Sequence, residues 1–192
     1  MRVRLKALAQ QRKSLYYLDV ETNMGVTRIN AGGKPEAVSI GIAQVIGDQP
    51  VELVYYKEFK PWWPVDREAH NVHGLGNVYL VDKERFSADD AEEITQLLKD
   101  CKGCFAHNAQ FDRAVLEHQF DLVGETFFPF KKLQCIQILA RELGLPQKLG
   151  ELYEKLFAKR RPMKHRADQD ALDLALVHWA MLKRVHSANM KN

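Results

Sequence analysis

The run Tyr16-Tyr17-Leu18-Asp19-Val20-Glu21-Thr22 is apolar until it meets two carboxylates one residue apart. A strand alternates its faces with period two, so Asp19 and Glu21 project from one face of the predicted strand. Two further β-rich runs, Ala37 to Ile46 and Val51 to Phe59, flank the turn residues Gly47-Asp48-Gln49-Pro50 and predict a hairpin. With the first strand they predict an antiparallel meander. Between them, Asn23 to Glu36 is rich in Gly, Asn and Lys and reads as a loop. Pro61-Trp62-Trp63-Pro64 ends the sheet pattern, and His70 and His73-Gly74 follow in a turn-rich segment.

The period then changes. Ala91, Ile94, Leu97 and Leu98 carry helical spacing over Ala88 to Cys101, with Ser87 as N-cap and Asp89 and Asp90 in the first turn. Cys104-Phe105-Ala106 reads as a short buried strand, and a helix follows from about Asp112 to Phe120. Val123 to Phe130 is loop, and Lys131 to Gln137 opens as a short strand before a helix closed by Gly144 and Pro146. Leu149 to Ala158 is helical, and Lys159 to Lys164 is a basic loop containing Pro162. The last helix spans about Ala167 to Val185, with Leu172, Ala175, Leu176, Trp179 and Leu182 assigned to its apolar face. Three strands followed by helices that alternate with short strands predict a mixed α/β sheet covered by helices.

A chain of 192 residues suits one domain with a full core. The reading divides it into a basic N-terminal segment, 1–14, a domain over 15–186, and a short tail, 187–192. The basic start is followed by no apolar signal region, and no apolar run is long enough to span a bilayer, so a cytoplasmic protein without membrane partners is expected. Net charge is only +3, yet basic residues cluster at Arg2 to Lys13 and again at Lys159 to Arg166. Three cysteines argue against a disulfide framework. Cys101-Lys102-Gly103-Cys104 is a lone CxxC, short of the four ligands of a structural zinc site. It reads as a helix end followed by a buried strand cysteine.

The acids carry the candidate chemistry. Asp19 and Glu21, held close, repel each other; a hard divalent cation with oxygen ligands offsets that repulsion. A strand end with two solvated acids explains the pair alone equally well. Asp112 opens a helix just after a short strand, where open α/β sheets place their sites, though the helix dipole also favours an acid there. Asp168 and Asp170 share that second explanation. His165 precedes Asp170 by five positions, about 140° apart on a continuous helix. The two converge if His165 sits on the preceding loop, where a histidine beside a metal suits a general base. His107 reads as a histidine at a strand end.

Asp19-Val20-Glu21, then His107-Asn108-x-x-Phe111-Asp112, then His165-x-x-x-x-Asp170 resemble, in order and spacing, the three motifs of the DnaQ-like DEDD 3′–5′ exonucleases in their histidine variant, DEDDh. Val72-His73-Gly74-Leu75 is similar to that family's His-Gly-Ile segment. The resemblance covers nearly the whole chain. It implies an RNase H-like fold, a five-stranded mixed sheet flanked by helices. It implies two divalent ions, Mg²⁺ or Mn²⁺, held by Asp19, Glu21, Asp112 and Asp170, with His165 accepting the proton of the attacking water. The implied reaction releases nucleoside 5′-monophosphates from the 3′ end of single-stranded DNA or RNA. Thr22, His73, Asn108 and Phe111 are the implied contacts to the terminal nucleotide. Trp62 and Trp63 suit either base stacking or the core. Homodimers occur among such enzymes, and the short segment after the last helix implies a stand-alone enzyme. Two departures stand out: Thr22-Asn23-Met24-Gly25 replaces the family's Thr-Thr-Gly, and the loop to Ala37 is long. Two other classes stay open, a non-catalytic nucleic-acid-binding module with the same fold and a CxxC metal or redox protein.

Overall fold

The computed structural model describes residues 14–47, 49–126, 133–161 and 165–189. The basic N-terminal segment to Lys13, Asp48 of the hairpin turn, residues 127–132, Pro162 to Lys164 of the basic loop, and the last three residues of the tail lie outside the described residues.

Five strands form one sheet in the order β3-β2-β1-β4-β5. They are β1 (Ser14–Thr22), β2 (Ala37–Ile46), β3 (Glu52–Glu58), β4 (Gly103–Ala106) and β5 (Leu133–Cys135). The expected meander is present: β1 pairs antiparallel with β2, and β2 with β3. β4 joins the other edge of β1 in parallel, and β5 pairs in parallel with β4. The result is the RNase H-like mixed sheet that the motifs implied.

The alternation along β1 builds two cores. Tyr16, Leu18 and Val20 enter one apolar cluster, with Ile94 and Leu98 of α4 (Ala88–Leu98) and Val115 and Leu116 of α5 (Ala109–Asp121). Tyr17 enters the other, with α6 (Ile136–Glu142), α7 (Leu149–Phe157) and α8 (Ala167–Asn189). Asp19 and Glu21 share the parity of Tyr17, so they belong to the α8 face. Cys101 and Cys104 are both buried in the first cluster and not joined in a disulfide, and burial pushes the Cys104 thiol far up. That matches the apolar reading of the CxxC.

Three short helices were not anticipated. α1 (Val26–Asn30) interrupts the expected loop, while α2 (Arg67–His73) and α3 (Asn77–Leu80) occupy the turn-rich segment. Asp66 caps α2 by accepting from the Ala69 amide at 2.9 Å, and Gly74 ends it in the left-handed conformation (φ 78°) that its missing Cβ permits. Helices this short lack the periods that make longer ones visible. α4 begins as expected, with Ser87 and Asp90 forming a reciprocal capping box. α5 starts at Ala109, three residues before Asp112.

The apolar face expected for α8 is right at Leu172 and Ala175, which pack on the second core cluster, and wrong at the other three positions. Leu176, Trp179 and Leu182 are all more than a third exposed, whereas Ala171, Leu174, Ala175, His178 and Met181 face the protein. The misleading position is His178. Burial holds its pKa down at about 4, its ring lies against Phe105, and its Nδ1 is hydrogen-bonded to the Tyr17 hydroxyl at 3.0 Å. It is neutral and behaves as a core residue, so the true stripe contains a polar letter. Among the described residues, no helix is long and apolar enough to cross a membrane.

Candidate active site

The strand register explains how the acids meet. Asp19 pairs opposite Gly41 of β2, and Glu21 opposite Ser39. The first turn of α8 lies directly on Gly41: a Cβ there would fall on the Ala167 carbonyl and 2.7 Å from the Asp168 amide nitrogen. This close approach, available only to glycine, brings the start of α8 onto β2 directly beside the strand that carries the acids. Asp170 therefore faces Asp19 and Glu21. Asp112, one turn into α5, arrives from the C-terminal end of β4.

Glu21, His165 and Asp170 each offer a ligand atom within 4.8 Å of the others. His165 Nδ1 stands 3.6 Å from Asp170 Oδ2, and its ring is more than half exposed on the segment before α8. Asp112 and Asp170 are buried, each 3% exposed, and Glu21 is 8% exposed. Asp19 keeps some exposure but is surrounded by the other three acids.

The electrostatics follow from this crowding. Burial pushes Glu21 up to about 8, helped by the Asp170 charge and opposed by His165. Burial pushes Asp112 up to about 7, although the backbone amides of Asp112 and Val20 pull the other way. Asp19 is raised well above the carboxylate range by burial, then by Glu21, Asp170 and Asp112. The Asp170 carboxylate raises His165 against the opposing effect of burial, and Glu21 adds to the rise. Four hard oxygen donors crowded in this way fit one or more hard divalent cations, which favour the ionised carboxylates.

Arg161 reads from the sequence as one more residue of the basic loop Lys159 to Lys164. It is instead buried, 7% exposed, with its guanidinium bonded to Asp170 and, at 2.7 Å from Nε, to Asp173. Among the described residues of this basic run, Lys159, Arg160, His165 and Arg166 are exposed. Arg166 forks onto Asp168 at 3.0 and 2.9 Å. No sequence pattern separates the inward arginine of this basic run from the outward ones.

The substrate-contact candidates sit around the same end of the sheet. The Thr22 hydroxyl donates to the Met24 carbonyl at 3.0 Å. His73 is buried, and its Nδ1 accepts from the Leu75 amide at 3.0 Å. The other nitrogen, Nε2, then carries the proton and donates to the Thr22 carbonyl at 3.0 Å, tying α2 to the end of β1. Asn108 precedes α5 with an exposed side chain that makes no capping bond. Phe111 is half-buried against the first core cluster. Sequence reasoning missed Ser39: its hydroxyl is buried without a partner and faces a cleft shared with Tyr56, Glu58, His73, Tyr79 and His165. Its pairing with Glu21 was the available signal.

The pKa directions give a stability prediction for the metal-free protein. Glu21 and Asp112 hold protons in the folded state up to about pH 8 and 7, whereas unfolded carboxyls lose them near 4. Stability therefore falls as pH rises through that range. The raised His165 acts in the same direction above its ordinary value. Neutral His73, His107 and His178, all depressed by burial, oppose the fall only below about 6.5. Melting temperature in EDTA should thus decline between about pH 6.5 and 8, and added Mg²⁺ should restore more at pH 8 than at 6. A melting temperature that climbs over that interval in EDTA would contradict the protonated acid cluster.

Comparisons with known proteins agree with this geometry. The RNase_T exonuclease family matches residues 17–177. The DNA polymerase III subunit epsilon of Salmonella typhimurium is 32% identical over 174 residues, covering 85% of this chain and 69% of that protein. The nuclease domain of 3′hExo, a DEDDh family member bound to rAMP, superposes with a TM-score of 0.72 at 14% identity, covering 91% of this chain and 94% of that one. E. coli ExoI, in a zinc-bound complex with single-stranded DNA, gives a TM-score of 0.67 at 15% identity, over 93% of this chain and 41% of that one. With family and fold in agreement along most of its length, the chain belongs to the RNase_T exonuclease family and is a DnaQ-like 3′–5′ exonuclease.

Proposed function

We propose that this enzyme removes nucleotides from the 3′ ends of single-stranded DNA or RNA with two divalent ions, Mg²⁺ or Mn²⁺, held by Asp19, Glu21, Asp112 and Asp170. The observation that carries the reading is the convergence of Glu21, Asp170 and His165 beside Asp19 and Asp112. Left to themselves, these buried acids oppose one another; as ligands they complete a site. Bound divalent ions would supply charge neutralisation for an in-line displacement at phosphorus.

The protein's own groups do the rest. Asp19, with Glu21 on its own strand and Asp170 of α8 as charged neighbours, would be one of the carboxylates that hold the ions. His165 takes one proton from water as the water oxygen bonds to phosphorus. The P–O3′ bond breaks, the electron pair leaves with the 3′-oxygen, which takes a proton from solvent to become the new 3′-hydroxyl, and the product is a nucleoside 5′-monophosphate. The exposure of His165 allows it to pass the proton to solvent. Asn108 is free to meet the terminal nucleotide, Phe111 and His73 shape its pocket, and Thr22 contributes through the backbone that His73 anchors. Support for a single-stranded substrate comes from the partners of two structural relatives, a ribonucleotide and single-stranded DNA. The exposed cations Lys159, Arg160 and Arg166 suit the phosphates of such a strand. The cytoplasm is the setting we propose.

His165→Ala tests the base. A positioned general base contributes roughly 10²- to 10⁴-fold, so kcat should fall within that range. The acidic limb of the pH–rate profile should flatten, because proton acceptance needs the neutral ring. Metal affinity measured by calorimetry should change little. An unaltered pH–rate profile would remove His165 from this role.

A further inference from the structure

Trp62 and Trp63 are 53% and 64% exposed, an unusual fate for two adjacent indoles. Their backbone is fixed with uncommon care. Glu36, 1% exposed, accepts from the Trp62 amide at 2.6 Å and from the Trp63 amide at 3.0 Å, one carboxylate oxygen for each. Asn23, fully buried, donates from Nδ2 to the Trp63 carbonyl at 3.0 Å and accepts from the Glu36 amide at 2.8 Å. Proline flanks the pair on both sides. Burying a carboxylate costs free energy unless several donors satisfy it, and here those donors are the amides of the two indole-bearing residues and, at 3.3 Å, Asn23 Nδ2. The cluster thus rigidifies a loop whose side chains remain in solvent.

Position and charge indicate what the rings meet. Asn23 stands two residues beyond Glu21, so the clamp ties the tryptophan loop to the strand that carries the acids. The Arg85 guanidinium lies 3.9 Å from the centre of the Trp62 ring. Lys60 precedes the loop, and its amide donates to the Glu84 carbonyl at 2.9 Å, drawing the Arg85 segment alongside. Aromatic faces interleaved with cations match a strand of stacked bases and phosphates.

We propose that Trp62 and Trp63 form a stacking platform for bases of the strand whose 3′ end occupies the acid site, with Glu36 and Asn23 as positioning residues. This rests on the nucleic-acid reading above and extends it to a second contact region. The platform rewards substrates long enough to reach it, so it sets a length preference.

The test compares oligothymidylates of two and ten nucleotides. In Trp62→Ala/Trp63→Ala, KM for the ten-mer should rise at least about tenfold, since stacking contributes roughly that much per base. The kcat on the two-mer should stay within about twofold. Both side chains are exposed, so folding should be unaffected. Glu36→Gln should give the same length-dependent loss with both rings present. A second readout does not need turnover: in hydrolysis-deficient Asp19→Asn protein with Mg²⁺, the ten-mer should quench indole emission. Trp179→Phe should leave that quench intact, and Trp62→Phe/Trp63→Phe should remove most of its indole component. Wild-type hydrolysis with an unchanged ten-mer KM in the double alanine variant would overturn the platform and leave the exonuclease standing. Absence of hydrolysis in the wild type would instead strike the functional reading, and a quench that survives loss of Trp62 and Trp63 would still overturn the platform.

Discussion

Asp19→Asn is expected to abolish hydrolysis and, at alkaline pH, to stabilise the metal-free protein. The substitution keeps the shape of the side chain and removes its charge. Under the proposed assignment it removes one of the four carboxylates that would hold the divalent ions, and the rate should fall by roughly 10³-fold or more. Stability should move the other way. In the metal-free state burial, followed by Glu21, Asp170 and Asp112, raises the Asp19 carboxyl well above the usual carboxylate range. As pH rises to about 9 the wild-type cluster must either ionise against this repulsion or keep its protons at increasing cost; the substituted amide carries neither burden. The melting temperature in EDTA should then exceed that of wild type by several degrees at pH 9, with about 2–4 °C corresponding to each kcal/mol at this chain length. At pH 6 the two proteins should be close. Asp170→Asn should behave differently. It leaves the buried Arg161 guanidinium with Asp173 as its carboxylate partner, so activity and stability should fall together, the latter by roughly 1.5–3 kcal/mol. A destabilising Asp19→Asn, or one with wild-type activity, would contradict the electrostatic account of the cluster.

Gly41→Ala is the second large effect. One methyl group would land on the backbone of Ala167 and Asp168, where no side-chain rotation relieves it. Overpacking typically costs about 1–3 kcal/mol, and relief requires α8 to move outward from β2. Asp170 would move with it, away from Asp19 and Glu21. Displacements near 1 Å reduce rates by about 10²-fold, so activity should fall at least that far even in the folded fraction. Circular dichroism melts and rates normalised to folded protein separate the two losses. A fully active, undestabilised variant would show that α8 does not depend on this contact.

The parts of the candidate site that could be read in the sequence came from a local pattern or from a family resemblance. The period of a strand puts Asp19 and Glu21 on one face, and the resemblance to the DEDDh motifs brings Asp112, His165 and Asp170 into the same company. Residues defined by what packs against them stayed hidden. Gly41 reads as one more glycine in a strand until α8 is seen to rest on it. Arg161 is one basic letter among several, and its inward turn is decided by the carboxylates on α8. His178 broke the apolar pattern of that helix because its pairing with Tyr17, 161 positions away, makes it a core residue. The same limit applied to Trp62 and Trp63: their sequence suited either base stacking or the core, and only the hydrogen bonds to Glu36 and Asn23 explain their display in solvent. The sheet itself was readable because strands and their turns carry their own signals, whereas α1, α2 and α3 are too short to carry a period.

The central claim is metal-dependent removal of nucleotides from a 3′ end by this cluster of acids. It is tested most directly with 5′-labelled single-stranded DNA and RNA of one sequence, incubated with wild-type or Asp19→Asn protein in Mg²⁺, Mn²⁺ or EDTA. The account predicts a ladder that shortens from the 3′ end, present with either metal and absent in EDTA and in the variant. Binding of both strands without any shortening in the presence of either metal, or a ladder that persists in EDTA, would contradict it.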